Sequence, residues 1–257
     1  IQCGLNLHDS PWNEVVIPAA VEAADFVQVH LYVDEAGVSE ESSAMLPMLR
    51  MADMATRWLE RIEALLEKYA RKPTPIWVTE YGMIARSTRA MTTSASAVLT
   101  AEQLNRIGDH TGVEAAHRWC LYENYFFTAL RGPSRGKERP YGARPERDLY
   151  TLWAWVRSPM RQGLETGDRD LSALAYPRGD GMGLLIINRS DDWKAARPTP
   201  AGLKKGKAEA RMLGAAHAWS GNELTPGLVG ADAFTFAFAP GEALLLPPLS
   251  VTAVRLP

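Results

Sequence analysis

The sequence has few cysteines and no surplus of charge of either sign. Its two cysteines, Cys3 and Cys120, lie far apart in apolar segments, which favours buried free thiols over a disulfide framework. Lys plus Arg (28) nearly balances Asp plus Glu (30), so the net charge is -2. Because nucleic-acid binding needs a basic surface, we expect no nucleic-acid partner.

The sequence also lacks an apolar run of the roughly 20 residues that a membrane-spanning helix needs. We therefore expect no membrane partner. Nothing at its start resembles a signal peptide, but the chain opens inside the strand-like stretch "IQCGLNLH". This suggests that an upstream part is missing, so the compartment stays open.

What is present is enough apolar material for a large core. Hydrophobic residues make up 46% of the 257 residues and charged residues 23%, typical of a globular protein with one barrel or two domains. Strand-like segments at 2–8, 25–33, 75–81 and 114–122 are separated by helical patterns, the clearest at 44–70. This alternation predicts βαβ units and a parallel sheet.

Two of these strands alternate between an apolar and a polar face. In the strand at 25–33, Val27, Val29 and Leu31 oppose His30 and Tyr32. The strand at 2–8 places His8 on its polar side in the same way. In a β/α barrel the polar ends of the strands meet at the upper rim, where active sites are built. We expect His8, His30 and Tyr32 to lie around one pocket.

The stretch "PIWVTEYG" adds a carboxylate to this pocket. Alternation places Ile76, Val78 and Glu80 on one face, so the two apolar side chains would fill the lumen beneath the glutamate. A partly buried carboxylate needs a hydrogen-bond donor, which Tyr32 or His30 could supply. Glu80 is therefore the first candidate for chemistry.

The order of the motifs resembles a known family. "DFVQVHLY", "WVTEYG" and "HRWCLYEN" resemble the sixth, seventh and eighth strands of the catalytic barrel of clan A glycoside hydrolases. "GLLIINRS" and "LLLPPLSVTAVRL" resemble the β-sandwich that follows the barrel in α-L-arabinofuranosidase-type members. The resemblance implies an α/β fold: the second half (strands 5 to 8) of a TIM-type β/α barrel in residues 1–165, then an all-β sandwich accessory domain in residues 166–257.

The resemblance also implies a function. It suggests a retaining glycoside hydrolase that acts on plant or microbial polysaccharide or oligosaccharide, with a carbohydrate as its partner and no cofactor. Glu80 matches the nucleophile, Tyr32 the tyrosine beside it, and Trp119 the tryptophan under the sugar. In a continuous strand at 114–122, Glu123 would share a face with Trp119, which makes it a candidate for substrate binding or for a salt bridge to the arginines of the following loop.

The clan's acid/base residue follows an asparagine at the end of the fourth strand. Asn13-Glu14 has this dipeptide, but it stands where a helix is predicted to begin, and a carboxylate in a first turn is favourable there without any catalytic role. We therefore expect the acid/base upstream of Ile1. The isolated chain would then be incomplete as an enzyme.

Two other functions remain open on the sequence. His8 and His30 at the ends of adjacent strands could bind zinc in a metal-dependent barrel hydrolase. The second open function is that of a non-catalytic carbohydrate-binding protein. In that case Trp193 or Trp219 in the β-sandwich could be the platform on which a sugar ring stacks. The polar segments at 86–97 and 131–148 are expected to be solvated loops on the active-site side.

Overall fold

A computed structural model describes residues 11–34, 52–84, 90–123, 128–132, 142–179, 181–199, 202–223 and 225–257. The predicted strand at 2–8, and His8 with it, lie outside these residues. So does the first part of the predicted helix at 44–70, of which residues Asp53–Tyr69 are helical.

The first part of the chain alternates helices with parallel strands. The helices are α1 (Trp12–Ala20), α2 (Asp53–Tyr69), α3 (Ser94–Ile107) and α4 (Pro145–Val156), with short 3-10 turns at Val21–Ala23 and Ala90–Thr92. Strands β1 (Val27–Asp34), β2 (Ile76–Ile84) and β3 (Val113–Ala116) form a parallel sheet in that order. The predicted βαβ pattern is confirmed in these residues.

The second part contains the remaining strands, most of which pair antiparallel. Its elements are β4 (Tyr122–Glu123), β5 (Leu130–Arg131), β6 (Gln162–Leu164), β7 (Leu171–Arg178), β8 (Gly181–Asn188), β9 (Lys194–Ala196), β10 (Gly206–Gly214), β11 (Gly230–Phe238), β12 (Leu244–Leu246) and β13 (Ser250–Leu256). Six of them form one sheet in the order β11-β10-β13-β8-β7-β6, while β9 pairs with β12 and β4 with β5. Strand β6 belongs to the six-stranded sheet although it lies before residue 166. The domain boundary between residues 165 and 166 therefore stays a prediction.

The six-stranded sheet is buried on both faces at its centre, in β8 and β13. Along β8, Leu185 and Ile187 pack with α3 and α4, whereas Leu184 and Ile186 pack with Leu246 of the small β9-β12 sheet. A strand covered on both sides needs a continuous apolar run, which explains the sequence "GLLII". Helices α3 and α4 therefore form a layer between the parallel sheet and the antiparallel one.

A β-bulge in β2 changes the faces that simple alternation predicts. Val29 pairs with Val78 but His30 pairs with Glu80, so Thr79 is an extra residue in β2. Ile76 and Val78 are fully buried beside Leu59 and Ile62 of α2, on the helix side of the sheet. The prediction that Ile76, Val78 and Glu80 share a face is wrong, because the extra residue inverts the alternation and moves Glu80 to the opposite side.

Two further expectations are corrected. The predicted strand at 114–122 ends at Ala116, so the alternation that grouped Trp119 with Glu123 does not apply. In the segment at 86–97, the described residues 90–97 are not a solvated loop: they lead into α3, where Ser94 and Ser96 are buried. The side chain of Thr93 caps this helix by accepting from the Ser96 N–H.

Candidate active site

Glu80 lies near the C-terminal end of β2, on the face that the bulge selects. Its Oε2 accepts a hydrogen bond of 2.7 Å from the Tyr32 hydroxyl on β1. The carboxylate side chain is 22% exposed, so it is held by the protein and still reachable. A partly buried carboxylate with one fixed donor and access to solvent can act as a nucleophile or as a base.

Tyr32 remains a donor over the working pH range. Burial, and after it the hydrogen bond to Glu80, raise the pKa of Tyr32 well above its ordinary value. The hydroxyl therefore keeps its proton, and that proton points to the carboxylate. Tyr32 therefore holds one oxygen of the Glu80 carboxylate in a fixed position.

His30 flanks the same carboxylate. Its Nδ1 lies 3.4 Å from Glu80 Oε2, within ion-pair distance if the imidazole is protonated, but without hydrogen-bond geometry, so Nδ1 has no hydrogen-bond partner. The parallel pairing of His30 with Glu80 brings the two side chains to one face. His30 Nδ1 is therefore a polar atom beside Glu80 that makes no hydrogen bond of its own.

A buried amide supports the strands that carry these residues. Gln103 of α3 donates from Nε2 to the carbonyl oxygens of Gly82 at 3.1 Å and Leu31 at 3.4 Å. It thereby ties the ends of β1 and β2 to the helix layer. The strands are held at the point where Tyr32 meets Glu80.

Trp119 lies in the irregular segment after β3 and is 44% exposed. Leu121 and Tyr122, which follow it, are exposed as well, and the peptide bond between Trp119 and Cys120 is cis. Cys120 itself has intermediate exposure, and its Sγ donates to the Tyr122 carbonyl oxygen at 3.7 Å. An exposed indole of this kind can stack against the apolar face of a sugar ring.

Arg118 is a buried residue that the sequence patterns did not single out. Its Nε and Nη2 donate to the two carboxylate oxygens of Glu146 on α4 at 2.9 and 3.2 Å. Burial alone would lower the pKa of Arg118, but the Glu146 carboxylate raises it above its ordinary value. The only feature of the sequence that points to Arg118 is its position next to Trp119.

The other candidates lie elsewhere. His8 and the side chain of Glu123 fall outside the described part of the chain, while Glu14 is an exposed first-turn residue of α1. A second Asn-Glu dipeptide, Asn222-Glu223, precedes β11, and Glu223 forms ion pairs with Arg144 and Arg131. Both arginines belong to the segment at 131–148 and are buried, so these positions of the expected solvated loop are instead packed against the segment before β11.

The two tryptophans considered as sugar platforms differ in their exposure. Trp219 is buried in the core beneath α3, whereas Trp193 is exposed. In the described ranges no group of three His, Cys, Asp or Glu residues is arranged to hold a metal ion. None of the helices in those ranges combines the length and apolarity needed to cross a membrane.

Comparison with known proteins gives no match to a protein-family model and none to a curated protein sequence. Solved structures do match. The family 51 arabinofuranosidase from Xanthomonas axonopodis pv. citri aligns with a TM-score of 0.75 at 16% identity, over 97% of this chain and 56% of that one. The family 51 α-L-arabinofuranosidase AbfB from Bifidobacterium longum aligns with a TM-score of 0.77 at 16% identity, over 96% and 55%.

A more distant structure shares the same arrangement. The family 86 β-porphyranase from Bacteroides plebeius aligns with a TM-score of 0.60 at 13% identity, over 98% of this chain and 46% of that one. At these identities the comparison shows the fold alone. The expected resemblance to clan A glycosidases is confirmed at that level, and the chain spans about half the length of the structures it matches.

Proposed function

We propose that this chain carries the nucleophile of a retaining glycoside hydrolase, and that the nucleophile is Glu80. The observation that carries the proposal is the hydrogen bond from Tyr32 to Glu80 at the ends of neighbouring parallel strands. The ends of parallel strands are where barrel enzymes place their catalytic groups. The shared fold with arabinofuranosidases and a porphyranase supports the same class.

In the proposed reaction the Glu80 carboxylate attacks the anomeric carbon of the sugar. The bond to the leaving oxygen breaks as a second carboxylic acid, about 5–5.5 Å away, protonates it. Water then releases the sugar from Glu80, with the second carboxylate now acting as base. Tyr32 holds the attacking carboxylate in place, and His30 lines the approach on the same face.

The second carboxylate is proposed to lie upstream of Ile1. Glu14 is exposed in the first turn of α1, and Glu223 is engaged with two arginines. Strands β1, β2 and β3 would be the sixth, seventh and eighth strands of a β/α barrel whose earlier strands supply the acid/base. The division into a catalytic part at 1–165 and an accessory sandwich at 166–257 belongs to the same proposal.

The proposed substrate is a plant or microbial polysaccharide or oligosaccharide. Trp119 would stack under the sugar bound at Glu80, since its indole is exposed in the segment that follows β3. Of the sugars to test, α-L-arabinofuranosides come first, because two of the matched structures are described as arabinofuranosidases. Glu123 and His8 are proposed as further sugar contacts.

The first test replaces the proposed nucleophile. Glu80→Gln keeps the size of the side chain and removes its charge, so turnover of an aryl glycoside by the protein supplied with its upstream segment should fall by about a thousandfold or more. Thermal unfolding should be little changed. Glu14→Gln is the matched control and should keep nearly full activity.

The outcomes separate the alternatives. A loss below about tenfold in Glu80→Gln contradicts its role as nucleophile. A retained anomeric configuration in the first product, seen by NMR, together with fluorosugar labelling of the peptide that contains Glu80, supports a covalent intermediate. Inverted product, or activity that chelators abolish and zinc restores, would instead favour one of the rival mechanisms.

A further inference from the structure

A buried guanidinium connects the proposed nucleophile strand with the proposed sugar platform. Besides its two bonds to Glu146, Arg118 donates from Nη1 to the carbonyl oxygen of Tyr81 at 2.9 Å and to that of Trp119. Tyr81 is the residue directly after Glu80. One side chain therefore contacts the backbone on both sides of the proposed site.

The partner of Arg118 is itself fixed. Glu146 of α4 is buried, and its Oε1 accepts a second hydrogen bond of 2.6 Å from the Thr100 hydroxyl on α3. A fork-to-fork pair of guanidinium and carboxylate has a defined geometry. The position of the guanidinium is thus set by two helices of the layer beneath the sheet.

The lack of a side chain at Gly82 makes room for the Arg118 guanidinium. A Cβ built on Gly82 would lie 2.8 Å from the central carbon of the Arg118 guanidinium, and Gly82 has a φ of +137°. Only glycine adopts such a backbone without strain and without displacing the arginine. The end of β2 is shaped to be approached by Arg118.

We propose that Arg118, held by Glu146, is a positioning residue that sets the distance between the Glu80 strand and Trp119. This inference rests on the function proposed above. If it is right, loss of the fork should misplace the two halves of the sugar site relative to each other, and a small misplacement of reacting groups lowers turnover strongly. Arg118 is not proposed to contact the sugar.

The test uses Arg118→Lys, which keeps the charge but cannot bridge Glu146, Tyr81 and Trp119 at once. The readout is the ¹⁹F NMR signal of Trp119 in protein labelled with 5-fluorotryptophan, assigned as the signal that disappears in Trp119→Phe. We expect this signal to shift or broaden in Arg118→Lys. In the protein with its upstream segment, kcat should fall by about tenfold or more with a smaller change in KM.

Arg189→Lys is the matched control. The side chain of Arg189 is 3% exposed, against 8% for Arg118, and lies 3.5 Å from the buried Glu102. Its described contacts include neither β2 nor Trp119. It should lower thermal stability without moving the Trp119 signal. Equal effects of the two variants on that signal, or an unmoved signal in Arg118→Lys, would overturn the proposal.

A milder variant covers the case in which Arg118→Lys does not fold. Thr100→Val removes one hydrogen bond to Glu146 and leaves the ion pair in place. It should produce a smaller shift of the Trp119 signal, and no shift would count against the proposal. The NMR measurement needs no activity, so a failure of the glycosidase proposal in Glu80→Gln is distinguishable from a failure of this one.

Discussion

At the scale of single residues, the contact between Tyr32 and Glu80 is the best-defined feature of the candidate site. The Tyr32 side chain is buried on β1, and its hydroxyl donates to the Glu80 carboxylate on β2. A hydrogen bond to a charged group is stronger than one between neutral groups. Removal of this donor should therefore affect the carboxylate more than the fold.

Tyr32→Phe tests this contact. The ring still fills its place, but Glu80 loses its donor, which costs about 1.5–3 kcal/mol for a hydrogen bond to a charged group. If the bond is kept in the transition state, kcat/KM should fall by about tenfold to a hundredfold. Tyr69→Phe, at an exposed tyrosine of α2, should leave kcat/KM unchanged, and an equal loss in both variants would contradict the role of Tyr32.

At the scale of elements, the packing of α4 on the antiparallel sheet depends on a glycine. Gly183 lies in β8, paired with Tyr176 of β7 and Arg255 of β13. A Cβ at this position would lie 2.3 Å from the carbonyl oxygen of Val156, the last residue of α4. The end of the helix therefore touches the backbone of a central strand.

Gly183→Ala should force the helix and the sheet apart. The contact involves backbone, which cannot rotate away, so we expect a loss of about 1–3 kcal/mol in the free energy of unfolding, as for other overpacked sites. Gly214→Ala in β10 of the same sheet is the control, since its Cβ would have an ordinary contact of 3.6 Å with Ser250. Urea unfolding of both variants measures the difference, and equal stabilities would refute the close approach.

At the scale of the whole molecule, buried tyrosine hydroxyls link the parallel sheet to the helix layer. The hydroxyls of Tyr81 on β2 and Tyr150 on α4 lie 3.0 Å apart. Burial raises the pKa of Tyr81 to about 12. Burial, followed by the nearby Glu146, also raises the pKa of Tyr150. Both groups are therefore held neutral by the fold.

This predicts a loss of stability in alkali. An unfolded tyrosine ionises near pH 10, whereas Tyr81 in the folded protein keeps its proton to higher pH. The folded state then binds more protons than the unfolded state, so the free energy of unfolding should fall as the pH rises from about 10 to 12. Below pH 10 this contribution is fully present.

Urea unfolding at a series of pH values measures the effect. Tyr150→Phe removes one of the groups with a raised pKa, so its stability should fall less steeply above pH 10 than that of the parent protein. Identical pH dependence in the two proteins would show that these buried hydroxyls do not couple to folding.

The sequence by itself determined the alternation of β1 and β2 with helix α2, because these elements follow from local periodicity. The apolar stripe of α2 and the alternation in β1 are readable without any partner, and so is the run "GLLII" of a strand covered on both faces. The polar ends of β1 and β2 could be recognised for the same reason. These patterns identify Tyr32 and Glu80 as candidate site residues.

Tertiary structure decided which side of the sheet Glu80 occupies and what surrounds it. The bulge at Thr79 exists only in the register of β2 against β1, so no pattern within β2 reveals it. Arg118 looks like a surface residue in the sequence, but its side chain lies between Tyr81 of β2 and Glu146 of α4. Ser94 is buried because α3 is covered by a second sheet. Register and burial depend on residues distant in the chain, and for that reason the geometry of the site could be found only in the folded molecule.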